Sequence, residues 1–149
     1  MDLKSRLLER CSLFIEDRID IIQESISEIQ ETLLEETKSS AGDKHETARA
    51  MLQLEREKLG HQLSEAQIIK SKLAKIQPKT TSDLVVLGSV VYSSQANYFI
   101  AISAGKQIIN GDTFYAISPQ TPIGLLLLTK KAGDTVIFQG QKITLTKII

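Results

Sequence analysis

Two acids three residues apart, Asp43 and Glu46, stand in the stretch SSAGDKHETARAM, residues 39–51. That spacing is one helical turn, so both carboxylates share a face if a helix starts there. Two chemistries suit the pair. In the first, Asp43 is a helix N-cap accepting from free amides, and Glu46 at the third position reaches back to the cap residue's own amide. The positive end of the helix dipole favours both charges. In the second, the pair supplies hard oxygen ligands to magnesium, which commonly takes one or two protein carboxylates and completes its shell with water and phosphate oxygens. One carboxylate has two oxygens, so the two uses are compatible.

Other chemistry finds few residues. The only histidines, His45 and His61, read as solvated surface residues, and the single Cys11 as a small buried hydrophobe. With no paired cysteines, no glycine-rich phosphate loop and no Ser-His-acid set, a disulfide framework, a nucleotide cradle and a triad hydrolase all lack their parts. Lysine plus arginine equals aspartate plus glutamate at 18 each, which removes any overall pull toward nucleic acid or anionic membrane. Arg6, Glu9 and Arg10 interrupt the first apolar segment, so no signal peptide is expected, and no apolar run spans a bilayer. A soluble, cytoplasmic protein is the expectation.

The elements that must position the acids are two long helices. Leu8, Ile15, Ile22 and Ile29 recur every seven residues, with Ile19, Ile26 and Leu33 offset by four. Alternating steps of four and three make the apolar seam of a coiled coil. A second seam runs through Leu52, Leu59, Ala66 and Leu73. A short connection between such helices makes them antiparallel neighbours. The expected architecture is an antiparallel coiled-coil hairpin over 1–77, its tip near 38–47, reaching about 45–50 Å at 1.5 Å per residue.

At Pro78 the pattern changes. Residues 78–83 read as a polar linker, and 84–149 as short strands: LVVL, SVVYS, NYFIAI, TFYAI, DTVIF and KITLTKI. Pro122 opens a short helix with Thr121 as its cap, and at most one or two of Leu125 to Leu128 are expected to face outward. The expected C-terminal domain is a compact α+β fold with an antiparallel sheet.

With both halves in view, the chain resembles the bacterial Gre family of transcript cleavage factors. AISPQTPIGLLLLTKKAGDTV, residues 116–136, is similar to that family's I-S-x-D-S-P-(I/L/M)-G-x-x-L-L-x-K-x-x-G-D-x-V. VVLGSVV at 85–91 resembles its V-x-x-G-S-x-V strand, and GDKHETA at 42–48 its turn motif G-D-x-x-E-N-A. The resemblance implies a coiled coil followed by an FKBP-like domain. It also implies a role: the rod enters the secondary channel of RNA polymerase, and the tip acids help cut backtracked RNA.

On that resemblance Asp43 and Glu46 would hold a second magnesium ion jointly with the polymerase, weakly in free protein. Lys44, Thr47 and Arg49 would lie beside the nascent RNA, and Gln120, Thr121 and Pro122 would dock on the polymerase rim. The chain would be an accessory factor, not an enzyme in its own right, with no small-molecule substrate and no membrane partner. Thr47 stands where the family has asparagine, and Arg49 and Ala50 replace an acidic and an aromatic residue. Gln120 is neutral where the family is acidic. A channel-binding regulator that does not cleave RNA, an FKBP-type prolyl isomerase built on the domain's tyrosines and phenylalanines, and a plain coiled-coil adaptor are the other readings.

Overall fold

The computed structural model of the chain describes residues 2–38 and 43–149, with side chains described over 2–36 and 46–149. Residues 39–42 of the expected hairpin turn lie outside the described residues. The chain divides into two compact units, Ile15–Lys70 and a second made of Met1–Phe14 with Ser71–Ile149.

Two helices, α1 (Leu3–Lys38) and α2 (Asp43–Ala74), make the N-terminal hairpin. Ile15, Ile19, Ile22 and Ile26 are buried along α1, and Ala66 along α2. The spacing of apolar residues therefore does what it predicts within Ile15–Lys70. The two helices run antiparallel, and a long ion pair joins Lys70 Nζ to Glu16 Oε1 at 3.9 Å. Toward the start of α1 the seam departs from the sequence expectation. Leu7 and Cys11 are fully buried, whereas Leu8 is only half-buried. Steps from Leu7 to Cys11, Ile15 and Ile19 are four residues each, a stutter that rotates the apolar stripe around the helix. The buried face of α1 thus shifts where the helix passes into the unit that contains the sheet.

That sheet has six strands: β1 (Val90–Ser93), β2 (Tyr98–Ile100), β3 (Gly105–Ile109), β4 (Asp112–Ile117), β5 (Thr135–Phe138) and β6 (Gln141–Ile148). A short helix, α3 (Pro122–Leu127), lies between β4 and β5 in sequence. The spatial order is β3-β4-β2-β1-β6-β5. Every pairing is antiparallel except β2 with β4, where Tyr98, Phe99 and Ile100 run parallel to Tyr115, Ala116 and Ile117. A parallel neighbour needs a crossover connection, and here β3 occupies it.

Val91, Ile100, Leu127, Val136, Ile143 and Leu145 form one core cluster with Val85. Val90 and Phe99, which alternate with Val91 and Ile100, are equally buried, so the central strands are covered on both faces. Two strand expectations need correction. The run Leu84–Leu87 forms no strand: only Leu84 makes a bridge, to Lys131, and Leu84, Val86 and Leu87 remain exposed around a buried Val85. Residues 105–109 do form a strand, hidden in sequence by the opening Gly-Lys-Gln. The Asn110-Gly111 pair, both at positive φ, turns β3 into β4 as a two-residue hairpin loop.

Candidate functional site

Both tip acids belong to the first turn of α2, which begins at Asp43. The Glu46 side chain is exposed, as is Thr47, while Arg49 is half-buried. The side chains of Asp43 and Lys44 lie outside the described residues, and with them the capping contact expected of Asp43. What the helix fixes is the spacing: two acidic positions one turn apart on one backbone. Carboxylate oxygens are the donors that magnesium prefers. Among the described residues no group of three or more acidic, histidine or cysteine side chains gathers to enclose a cation.

The second candidate region is the turn that enters α3, and its geometry is complete. Thr121 has extended backbone angles, φ −71° and ψ 157°, and its Oγ1 accepts from the Gly124 amide at 3.1 Å. The same hydroxyl donates to the Ser118 carbonyl at 2.7 Å. Pro122 follows at the first helical position, where its missing amide hydrogen costs nothing. Ser118 is held in turn: its amide donates to Ser103 Oγ at 3.2 Å, and its own Oγ accepts from the Gln120 amide at 3.1 Å. Gln120 and Pro122 are exposed and Thr121 is half-buried. The three expected docking residues thus form one rigid turn, but the Thr121 hydroxyl is committed to the cap. Gln120 and Pro122 present the accessible surface.

Of the leucines in this segment, Leu125 is 61% exposed and Leu127 fully buried, so one of the four points plainly outward. The aromatic residues differ in burial. Phe99 and Phe114 are closed in the core, and Tyr92 packs edge-on against Phe114 at 5.9 Å between ring centroids. Burial raises the Tyr92 and Tyr98 hydroxyl pKa values, with smaller contributions from Asp112 and Tyr115 respectively. Tyr115 in the sheet and Phe14 on α1 are exposed.

Sequence reasoning passed over Lys4. It is 7% exposed, and its Nζ donates to the Thr80 carbonyl at 2.8 Å. The signal was present: Lys4 lies three residues before Leu7, on the buried stripe itself.

No protein-family profile matches the chain, and no curated protein matches it. Among solved structures, the transcription factor Gfh1 aligns over 92% of each chain at 18% identity, with a TM-score of 0.39. No helix of the described residues is long and apolar enough to cross a membrane.

Proposed function

We propose that the chain is a Gre-like accessory factor of RNA polymerase, entering the secondary channel with its helical hairpin and stimulating cleavage of backtracked RNA. The observation that carries this reading is the acidic pair of the GDKHETA motif, set one turn apart at the start of α2 with Glu46 exposed. The order of a helical hairpin followed by a sheet domain with the capped Thr121-Pro122 turn supports it.

On this reading Asp43 and Glu46 contribute carboxylate oxygens beside the polymerase's own catalytic parts, and the nascent RNA supplies phosphate oxygens. These carboxylates would hold a magnesium ion, which when bound would supply Lewis-acid activation of water and stabilisation of the leaving oxygen. Lys44, Thr47 and Arg49 lie along the same stretch of α2 and would approach the RNA 3′ segment. Gln120 and Pro122 would meet the polymerase rim on a turn that Thr121 keeps rigid. Such a protein works in the cytoplasm and needs no active site of its own. The FKBP-like resemblance of the C-terminal domain serves docking, because a prolyl isomerase needs an open aromatic pocket and Phe99 and Phe114 are sealed in the core.

The test is a stalled, backtracked transcription complex incubated with wild type, Asp43→Asn and Glu46→Gln in magnesium. Wild type is expected to accelerate cleavage and each variant to lose about tenfold or more of that acceleration. Absence of stimulation by wild type, or equal stimulation by both variants, rules the mechanism out. Thr47 and Ala50, which depart from the cleavage-active motif, favour a second reading in which the same rod regulates the polymerase without cutting. Inhibition of RNA synthesis without cleavage selects that one.

A further inference from the structure

The unit that contains the sheet has a cleft of about 180 Å³ between the first turn of α1, the segment after α2 and the loop before β1. Two of its polar lining residues are at least nine-tenths buried, Lys4 at 7% and Ser89 at 2% exposure. Both hold hydrogen-bond donors in reserve. The Lys4 ammonium carries three hydrogens. Among the described residues it reaches one acceptor, the Thr80 carbonyl, and no carboxylate lies within ion-pair distance. Asp2 acts on it only through space; it is exposed and accepts from the Ser5 amide at 2.8 Å. Ser89 Oγ accepts from the Val86 amide at 2.9 Å, and its own hydrogen has no acceptor among the described residues.

A cation with little access to water and no counter-charge in contact is costly, and burial duly lowers the Lys4 pKa. Ile76, Val86 and Leu87 make the apolar part of the wall, and Lys75, Gln77, Thr80 and Ser82 add polar groups to the lining. Val86 and Leu87 are 41% and 43% exposed, a stretch of hydrocarbon that the fold leaves open. Unspent donors on Lys4 and Ser89 together with the hydrocarbon of Ile76, Val86 and Leu87 define the complementary ligand.

We infer that this cleft binds a carboxylate carried on a short apolar stem, its oxygens taken by Lys4 and Ser89 and its stem laid against Ile76, Val86 and Leu87. Free short-chain carboxylic acids and the acidic side chain of a partner protein share this chemistry. A hydrated dianion such as phosphate gains nothing from the hydrocarbon of Ile76, Val86 and Leu87 and loses more solvation on entry.

The experiment titrates butyrate into the whole chain while amide NMR shifts of Thr80, Gly88 and Ser89 are followed, with butyramide and inorganic phosphate as parallel arms. Saturable shifts with butyrate, at least about tenfold weaker for the other two, are expected. Lys4→Met and Leu87→Glu should each weaken butyrate by about tenfold or more. Leu87 is exposed, so its substitution decides the matter even if Lys4→Met loosens the fold. N-acetyl-glutamate α-methylamide, whose only carboxylate is that of the side chain, separates the two sources when added in the same way: stronger binding than butyrate points to a protein partner's acidic residue, equal or weaker binding to a free acid, and both uphold the site. Shifts that do not saturate, phosphate or butyramide matching butyrate, or unchanged affinity in Leu87→Glu would overturn the assignment. Polymerase binding and RNA cleavage play no part in this readout, so its failure leaves the function proposed above untouched.

Discussion

The amide of Gly124 donates to Thr121 Oγ1 at 3.1 Å, and that closeness leaves Gly124 no room for a side chain. A Cβ there would press into the Ser118 carbonyl and come within 2.9 Å of the same Thr121 oxygen. The cap and the glycine are thus one device. Thr121→Ala should cost about 1 kcal/mol through loss of the cap, and Thr121→Ser much less. Gly124→Ala should cost about 1–3 kcal/mol through overpacking against backbone that cannot retreat. Chemical denaturation midpoints at constant slope check the order Ser, Ala at 121, then Ala at 124.

Thr129, just past α3, has φ of 67°, a left-handed conformation that a β-branched residue adopts only under constraint. The constraint is visible: its amide donates to the Val85 carbonyl at 2.9 Å and its hydroxyl to the Leu128 carbonyl at 2.6 Å. Thr129→Asn keeps the amide and tolerates the conformation, so it should stabilise the fold by about 0.5–1 kcal/mol. Thr129→Val keeps the strain and loses the hydroxyl bond, and should destabilise. A thermal melt of the two variants distinguishes these signs; a lower midpoint for Thr129→Asn contradicts the argument.

How far these elements can be read from sequence depends on what sets each one. The helical hairpin is legible because Ile15, Ile19, Ile22 and Ile26 face one partner helix and obey a single period. Near the start of α1 the buried stripe passes through Leu7 and Cys11 instead of Leu8, a shift that a heptad count begun at Leu8 cannot show. LVVL at 84–87 has strand composition but gains one bridge only, since pairing partners come from distant chain and local propensity carries no information about them. Residues 105–109 fail as a pattern for the opposite reason: Gly105, Lys106 and Ile108 are exposed on an edge strand, so no alternation marks it. At the candidate site, residue types and the one-turn spacing of Asp43 and Glu46 were legible. The commitment of the Thr121 hydroxyl to Ser118 and Gly124 was not wholly so, because a cap and a docking residue want the same side chain. Lys4 stood in plain view on the apolar stripe, but the unspent donors around it come together only in three dimensions.

Within Ile15–Lys70, apolar burial should outweigh ion pairing by a wide margin. Ile22 is 6% exposed, and truncating it to alanine should cost about 2–4 kcal/mol. Glu16 and Lys70 meet at 3.9 Å with about half of each side chain exposed, so Glu16→Gln should cost under about 0.5 kcal/mol. Helical circular dichroism during urea unfolding measures both. Raised salt should erase the Glu16→Gln difference and leave the Ile22→Ala difference in place.

Cys11 offers a chemical clock for opening at the start of α1. It is fully buried, and burial pushes its thiol up to about 12 from an ordinary 9.0. At pH 8 that leaves on the order of a thousandfold less thiolate than an exposed cysteine carries, and thiolate is the species that alkylates. Iodoacetamide should therefore react only as fast as the unit that holds Cys11 opens, with the rate restored in denaturant. The same shift has a sign in stability. The folded thiol keeps its proton where the unfolded thiol has lost it, so its contribution is fully present below pH 9 and is lost as pH rises through the window from 9 to about 12. Cys11→Ala removes the titration, so the stability gap between wild type and this variant should move against wild type across that window. Alkylation of native protein at the free-thiol rate, or a gap that stays flat with pH, would contradict the burial argument.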